Sequence, residues 1–164
     1  MDSFKSTSLS AISIENNREC HIMSDNASKP QRARLSKNFF VDEFNCGCGQ
    51  CAYSDPKIAP WDILELKFMQ KLQDVRDDLG IAMTVNSGAR CVDYNQHVGG
   101  AAYSGHIVGI DRPCKAADIG THDMTPAQRH DLLRLAMKHG FRGIGIARNF
   151  IHLDTKVRKA VWSY

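Results

Sequence analysis

Three residues far apart in the chain are of the types that hold a catalytic metal. They are His106 in Ser104-Gly105-His106-Ile107-Val108-Gly109, Asp118 in Lys115-Ala116-Ala117-Asp118-Ile119, and His152 in Phe150-Ile151-His152-Leu153-Asp154. A catalytic zinc usually takes three protein ligands from His, Asp, Glu or Cys and keeps a further position for water. Small residues beside Asp118 would let its carboxylate come close to a neighbouring backbone, and a His in an alternating strand can point into the same cleft. Spacing alone leaves two readings open: metal ligands, or polar side chains satisfied by ordinary hydrogen bonds.

A second group of residues has metal chemistry of another kind. Cys46-Gly47-Cys48-Gly49-Gln50-Cys51 packs three thiols into a Gly-rich loop, and Cys91 or Cys114 could supply a fourth. Four thiolates make a structural zinc site, although only Cys48 and Cys51 have the C-x-x-C spacing preferred by zinc knuckles. A disulfide or free thiols are the alternatives for Cys46, Cys48, Cys51 and Cys91. Cys20 lies apart, near the N-terminus. Of the remaining histidines, His122 follows Asp118 closely and is the one that could line a cleft; His21, His97, His130 and His139 read as solvated or structural.

The elements that must position these groups can be read from periodicity. Residues 1–34 are rich in Ser, Asn, Lys and Arg without a sustained period and read as a flexible arm, with the domain proper at residues 35–164. From Pro60 to Leu79 apolar residues recur at Leu64, Phe68, Leu72, Val75 and Leu79, which predicts one helix closed by Gly80. Residues 81–85 read as a short buried strand stopped by a turn at Asn86-Ser87-Gly88, and Ala116-Ala117-Asp118-Ile119 as another strand. Thr125-Pro126 opens a second helix that runs to about His139 and ends at Gly140. Gly143-Ile144-Gly145-Ile146 and Phe150-Ile151-His152-Leu153 alternate like two strands joined by a tight turn at Arg148-Asn149. The expected fold is a single α+β domain with a small antiparallel sheet and flanking helices.

Bulk properties narrow the function. A chain of 164 residues with 43% hydrophobic and 24% charged residues can bury one ordinary core, which excludes wholesale disorder. A formal charge of +3 is too mild for a dedicated nucleic-acid binder but would suit an anionic polymer such as a cell wall. No apolar run approaches the ~20 residues of a membrane span, and the N-terminal residues lack the basic start and apolar centre of a signal peptide. The expectation is a protein made in the cytoplasm, without membrane insertion, that reaches any extracellular target after release. No feature calls for an oligomer, so a monomer is expected.

The motifs taken together carry a resemblance. Ser87-Gly88-Ala89-Arg90-Cys91, Tyr94-Asn95, Val98-Gly99-Gly100, Ser104-Gly105-His106, Ala116-Ala117-Asp118-Ile119, Gly143-Ile144-Gly145 and Phe150-Ile151-His152-Leu153-Asp154 stand in the order seen in M15 peptidases. That family includes D-alanyl-D-alanine carboxypeptidases and phage endolysins, and its fold is of the hedgehog-like type. The resemblance covers residues 35–164 and implies zinc as cofactor, held by His106, Asp118 and His152. It also implies that Arg90 holds substrate or the developing oxyanion, with Ser87 and Ser104 as further substrate-binding candidates. The implied reaction is hydrolysis of peptide bonds in the stem peptide or cross-bridge of bacterial peptidoglycan, in a phage or prophage endolysin. A non-catalytic zinc-binding recognition domain of the same fold is the alternative.

This chain departs from the family pattern twice. Ile110-Asp111-Arg112-Pro113-Cys114 is inserted between His106 and Asp118, which places them twelve residues apart where the family has seven. The insert reads as a longer hairpin loop, with Asp118, in its rigid apolar strand, preferred over Asp111 as the ligand. Many relatives also carry an acidic general base three residues before the last His, where this chain has Asn149, which cannot take a proton. Asp154 is the nearest candidate for that role; alternation puts it on the strand face of His152, where it could instead orient the imidazole.

Overall fold

The computed structural model describes residues 32–55 and 57–164. The arm expected at residues 1–34 therefore falls almost wholly outside the described residues, apart from its end. That end is folded onto the domain: Val41 N–H donates to Ala33 O, and the Arg32 guanidinium pairs with Asp42 at 2.8 Å. Among the described residues, domain contacts are already present at Arg32 and Ala33.

A five-stranded sheet organises the chain. Its strands are β1 (Thr84–Ser87), β2 (Ala116–Gly120), β3 (Gly143–Ile146), β4 (Phe150–Asp154) and β5 (Ala160–Ser163), in the spatial order β1-β2-β4-β3-β5. Every neighbouring pair is antiparallel except β3 and β5, which run parallel. The fold is α+β with one parallel pair at the edge, where an all-antiparallel sheet was expected. β5 went unread because four residues after a Lys/Arg-rich stretch carry no strong alternation, and its pairing with β3 is decided across the chain.

Successive side chains of a strand point to opposite faces, and that alternation divides this sheet cleanly. Ala117 and Ile119 of β2, Ile144 of β3, and Ile151 and Leu153 of β4 belong to the buried core. The same core takes Phe68, Leu72 and Val75 from helix α2 (Leu66–Leu79), and Leu132, Leu135 and Ala136 from α4 (Pro126–Lys138). The opposite face therefore carries Asp118, His152 and Asp154. Thr125 caps α4 as its hydroxyl accepts from Gln128 N–H, while the Gln128 side chain accepts from Thr125 N–H.

The helix expected at residues 60–79 is broken in two. A short α1 (Pro60–Ile63) precedes α2, and between them Leu64 pairs like a strand with Cys114. Cys114 N–H donates to Ile63 O at 2.8 Å and Glu65 N–H to Cys114 O at 2.9 Å, so tertiary pairing interrupts an otherwise helical period. The strand expected at residues 81–85 is shifted to β1, which runs through Asn86 and Ser87. Val85 and Ser87 pair with Ile119 and Asp118 of β2, and that pairing overrides the turn tendency of Asn-Ser-Gly. β1 is also an edge strand with half-exposed residues, not a buried one. A further helix, α3 (Val92–His97), is too short and polar to show a period. The insert forms the expected hairpin: Gly109 and Arg112 exchange backbone hydrogen bonds of 3.1 and 3.0 Å, with Asp111 in the left-handed region at φ 57°.

Candidate metal centre

One row of the sheet builds the site. Ser87, Asp118, His152, Gly145 and Trp162 are register partners in turn across β1, β2, β4, β3 and β5. Gly145 has no side chain, and across that gap the His152 and Trp162 rings approach to 5.3 Å. An added Cβ at Gly145 would lie 2.7 Å from the Trp162 ring, so the glycine is required by this contact. The next row pairs Asp154 with Gly143, where an added Cβ would meet the Asp154 carboxylate. His106 comes from outside the sheet. Arg90 N–H donates to His106 O at 2.9 Å and Val108 N–H to Arg90 O at 3.0 Å, which ties the His106 segment alongside the end of β1.

His106, Asp118 and His152 are all buried, and their ligating atoms converge. His106 Nε2 lies 3.1 Å from Asp118 Oδ1, His152 Nδ1 lies 2.8 Å from the same oxygen, and the two ring nitrogens are 3.0 Å apart. The opposite ring nitrogens fix the tautomers. His106 Nδ1–H donates to Gly88 O at 2.6 Å, because a carbonyl can only accept. His152 Nε2–H donates to Asp154 Oδ2 at 3.2 Å. With each outer nitrogen engaged, the inner nitrogens of the two imidazoles converge on one Asp118 oxygen.

The two histidines shift in opposite directions around an ionised Asp118. Burial opposes ionisation of Asp118, but His106 and His152 outweigh it and hold the carboxyl well below the usual carboxylate range. Burial pushes His106 down, toward the neutral form, despite the pull of Asp118. His152 moves up, because Asp118 and Asp154 more than offset its burial. The second Asp118 oxygen, Oδ2, accepts from Arg90 Nη2 at 2.5 Å, and Arg90 Nε donates to Ser87 Oγ at 2.9 Å. Ser87 thus stands behind Arg90, while Ser104 Oγ accepts from His106 N–H at 3.2 Å.

Asp154 is fully buried, and both its oxygens are engaged: Oδ1 by Lys156 N–H at 3.0 Å, Oδ2 by His152 and by Arg158 at 3.5 Å. Asp111 is exposed at the hairpin tip, and Asn149 is exposed at the β3–β4 turn, where its carbonyl accepts from Thr121 N–H. His122 is exposed and pairs with Asp123 at 2.8 Å, away from the centre. Above the three converging groups opens a cleft of about 730 Å³, bordered by Arg90, Ser104, Tyr103, Lys156, Arg158, Trp162 and Tyr164. The last four border residues were not legible in the sequence, since β5 and the segment before it reach the cleft only through the parallel β3–β5 pairing.

A family model described as Peptidase M15 matches residues 37–154. The chain belongs to the M15 peptidase family. Among curated proteins, none matches the chain. M15 peptidases are generally zinc-dependent, and the donor set of this M15 domain fits that ion. Two imidazole nitrogens and a carboxylate oxygen are common zinc ligands, and donors about 2 Å from one ion stand roughly 3 Å from each other. Three ligating atoms converging at that spacing can hold one cation among them. Among the described residues, no helix of the domain is long and apolar enough to cross a membrane.

Proposed function

We propose that this M15 domain hydrolyses peptide bonds in the stem peptide or cross-bridge of bacterial peptidoglycan, acting as a monomeric wall-degrading enzyme of the endolysin type. The observation that carries the reading is the convergence of the His106, Asp118 and His152 ligating atoms at the floor of an open cleft, with a guanidinium beside them. His106, Asp118 and His152 would hold the zinc, which would supply Lewis acidity.

The chain's own residues do the rest. Arg90 keeps Asp118 ionised and turned toward the two imidazoles. Two of its five donors are spent on Asp118 and Ser87, and the others can meet a substrate carboxylate or a developing oxyanion. Gly88 O and Asp154 fix the tautomers of His106 and His152, which is the role that the contacts of Asp154 match. Trp162 packs against His152 and forms one wall of the cleft. Lys156 and Arg158 place positive charge where the carboxylates of a wall peptide would lie.

The test is digestion of purified peptidoglycan, with the released fragments read by mass spectrometry. Wild-type protein should release peptide fragments, a chelator should stop it, and added zinc should restore it. Asp118→Asn should lose tightly bound metal and turnover together. Binding to the wall without any fragment would instead support a zinc-dependent recognition domain and overturn the enzymatic reading.

A further inference from the structure

We infer that Cys46, Cys48, Cys51 and Cys91 form a second metal site, a tetrathiolate zinc that fastens the loop at residues 46–51 to the start of α3. The four sulfurs lie within 4.8 Å of one another, although Cys91 is forty residues from the others in sequence. Sulfurs placed tetrahedrally at the usual zinc–thiolate distance stand roughly 3.8 Å apart, so the group is within about an ångström of a closed site. All four cysteines are unbridged.

Backbone donors converge on the same sulfurs. Cys48 Sγ accepts from the N–H groups of Gln50 and Cys51 at 3.5 and 3.4 Å, Cys46 Sγ from Cys91 N–H at 3.3 Å, and Cys91 Sγ from Tyr94 N–H at 3.4 Å. N–H groups aimed at sulfur stabilise its thiolate form, and partners of this kind orient the ligands of a metal. Three of the four sulfurs have such a donor, and the Ser54 hydroxyl lies within 3.5 Å of Cys48 and Cys51.

The place in the fold gives the ion a task. Between the 3-10 turn Val41–Glu43 and α1, the chain has little regular structure beyond one more 3-10 turn, Ala52–Ser54. A long irregular segment in a small domain needs fastening from elsewhere. Cys91 follows Arg90 directly, and Ala89 N–H donates to Phe44 O at 2.7 Å. Zinc here would brace residues 88–91 from behind, the stretch whose Gly88 O holds His106 and whose Arg90 holds Asp118.

The site shares no ligand with the proposed catalytic centre, and the test separates them. The full chain, purified with zinc present, should carry about two equivalents of tightly bound metal, and the His106→Ala/His152→Ala double variant about one. Cobalt(II) exchanged into that double variant should give thiolate-to-metal charge-transfer absorption. Alkylation mapped by peptide mass spectrometry should show Cys46, Cys48, Cys51 and Cys91 protected until chelator is added. Because the two histidine substitutions leave every cysteine in place, the result does not depend on a cysteine variant folding. A metal-free double variant, disulfides among the four cysteines, or alkylation indifferent to chelator would each overturn the proposal.

Discussion

Asp154 illustrates how a side chain without a face to solvent can orient a candidate metal ligand. Its carboxylate is held below the usual range; burial opposes this, but His152, the Lys156 N–H and Arg158 prevail, so it remains an acceptor for His152 Nε2–H. Replacement by Asn keeps the size and removes the charge that fixes the imidazole. We expect Asp154→Asn to bind zinc ~10–100-fold more weakly at the histidine site, the usual effect of removing such a partner, with the fold retained. Competition against a chromophoric chelator measures this, and Asp111→Asn, at the exposed hairpin tip, should match wild type. Equal affinity in Asp154→Asn would show that Gly143, Gly145 and the sheet alone hold His152. At this scale His106, Asp118, His152 and Arg90 were named through the family resemblance, strand alternation alone leaving the reading open, and the structure brings the four together. What could not be read was who holds whom: the Arg90–Asp118 and His106–Gly88 contacts span 28 and 18 residues and arise only when β1, β2 and the His106 segment are assembled.

The helices α2 and α4 pack together, and one carboxylate clamps their C-terminal ends. Asp78 accepts from Lys138 Nζ at 2.7 Å and from His139 Nε2 at 2.9 Å, and these two partners lower its pKa. A carboxyl with a depressed folded pKa stabilises the fold above its unfolded pKa, and the contribution is lost as pH falls through the folded value. The effect is small, since the pair is solvent-screened. The melting temperature of wild type should therefore exceed that of Asp78→Asn near neutral pH, with the gap closing in acid. A gap that widens in acid would contradict the clamp. Elements with long local periods or clear caps, α4 and the β3–β4 hairpin above all, were legible from sequence. Those decided by tertiary pairing were not: Leu64 leaves a helical pattern to meet Cys114, Asn86 and Ser87 extend a strand because β2 lies beside them, and β5 exists through β3.

Across the whole molecule the excess charge is only +3, but it is unevenly placed. Burial lowers the pKa of Lys156, and the like charges of Arg158, Arg112 and Lys115 lower it further despite the pull of Asp154. Lys156 and Arg158 thus line one side of the cleft, with Arg112 and Lys115 beside them in the adjoining pocket, next to a centre whose own carboxylates are consumed by His106, His152 and Arg90. A substrate bearing free carboxylates, as peptidoglycan peptides do, would be drawn to that side, and the attraction would weaken once salt shortens the screening length to ~10 Å or less. Because the field acts on arrival more than on the bond being cut, the signature is a KM that rises with ionic strength while kcat stays nearly constant, measured on a soluble stem peptide. Arg112→Gln should flatten that dependence, since Arg112 contributes to the patch from the hairpin and touches the Ser104 carbonyl, not the metal ligands. If instead salt lowers kcat at constant KM, the patch supports the catalytic groups directly and does not gather substrate.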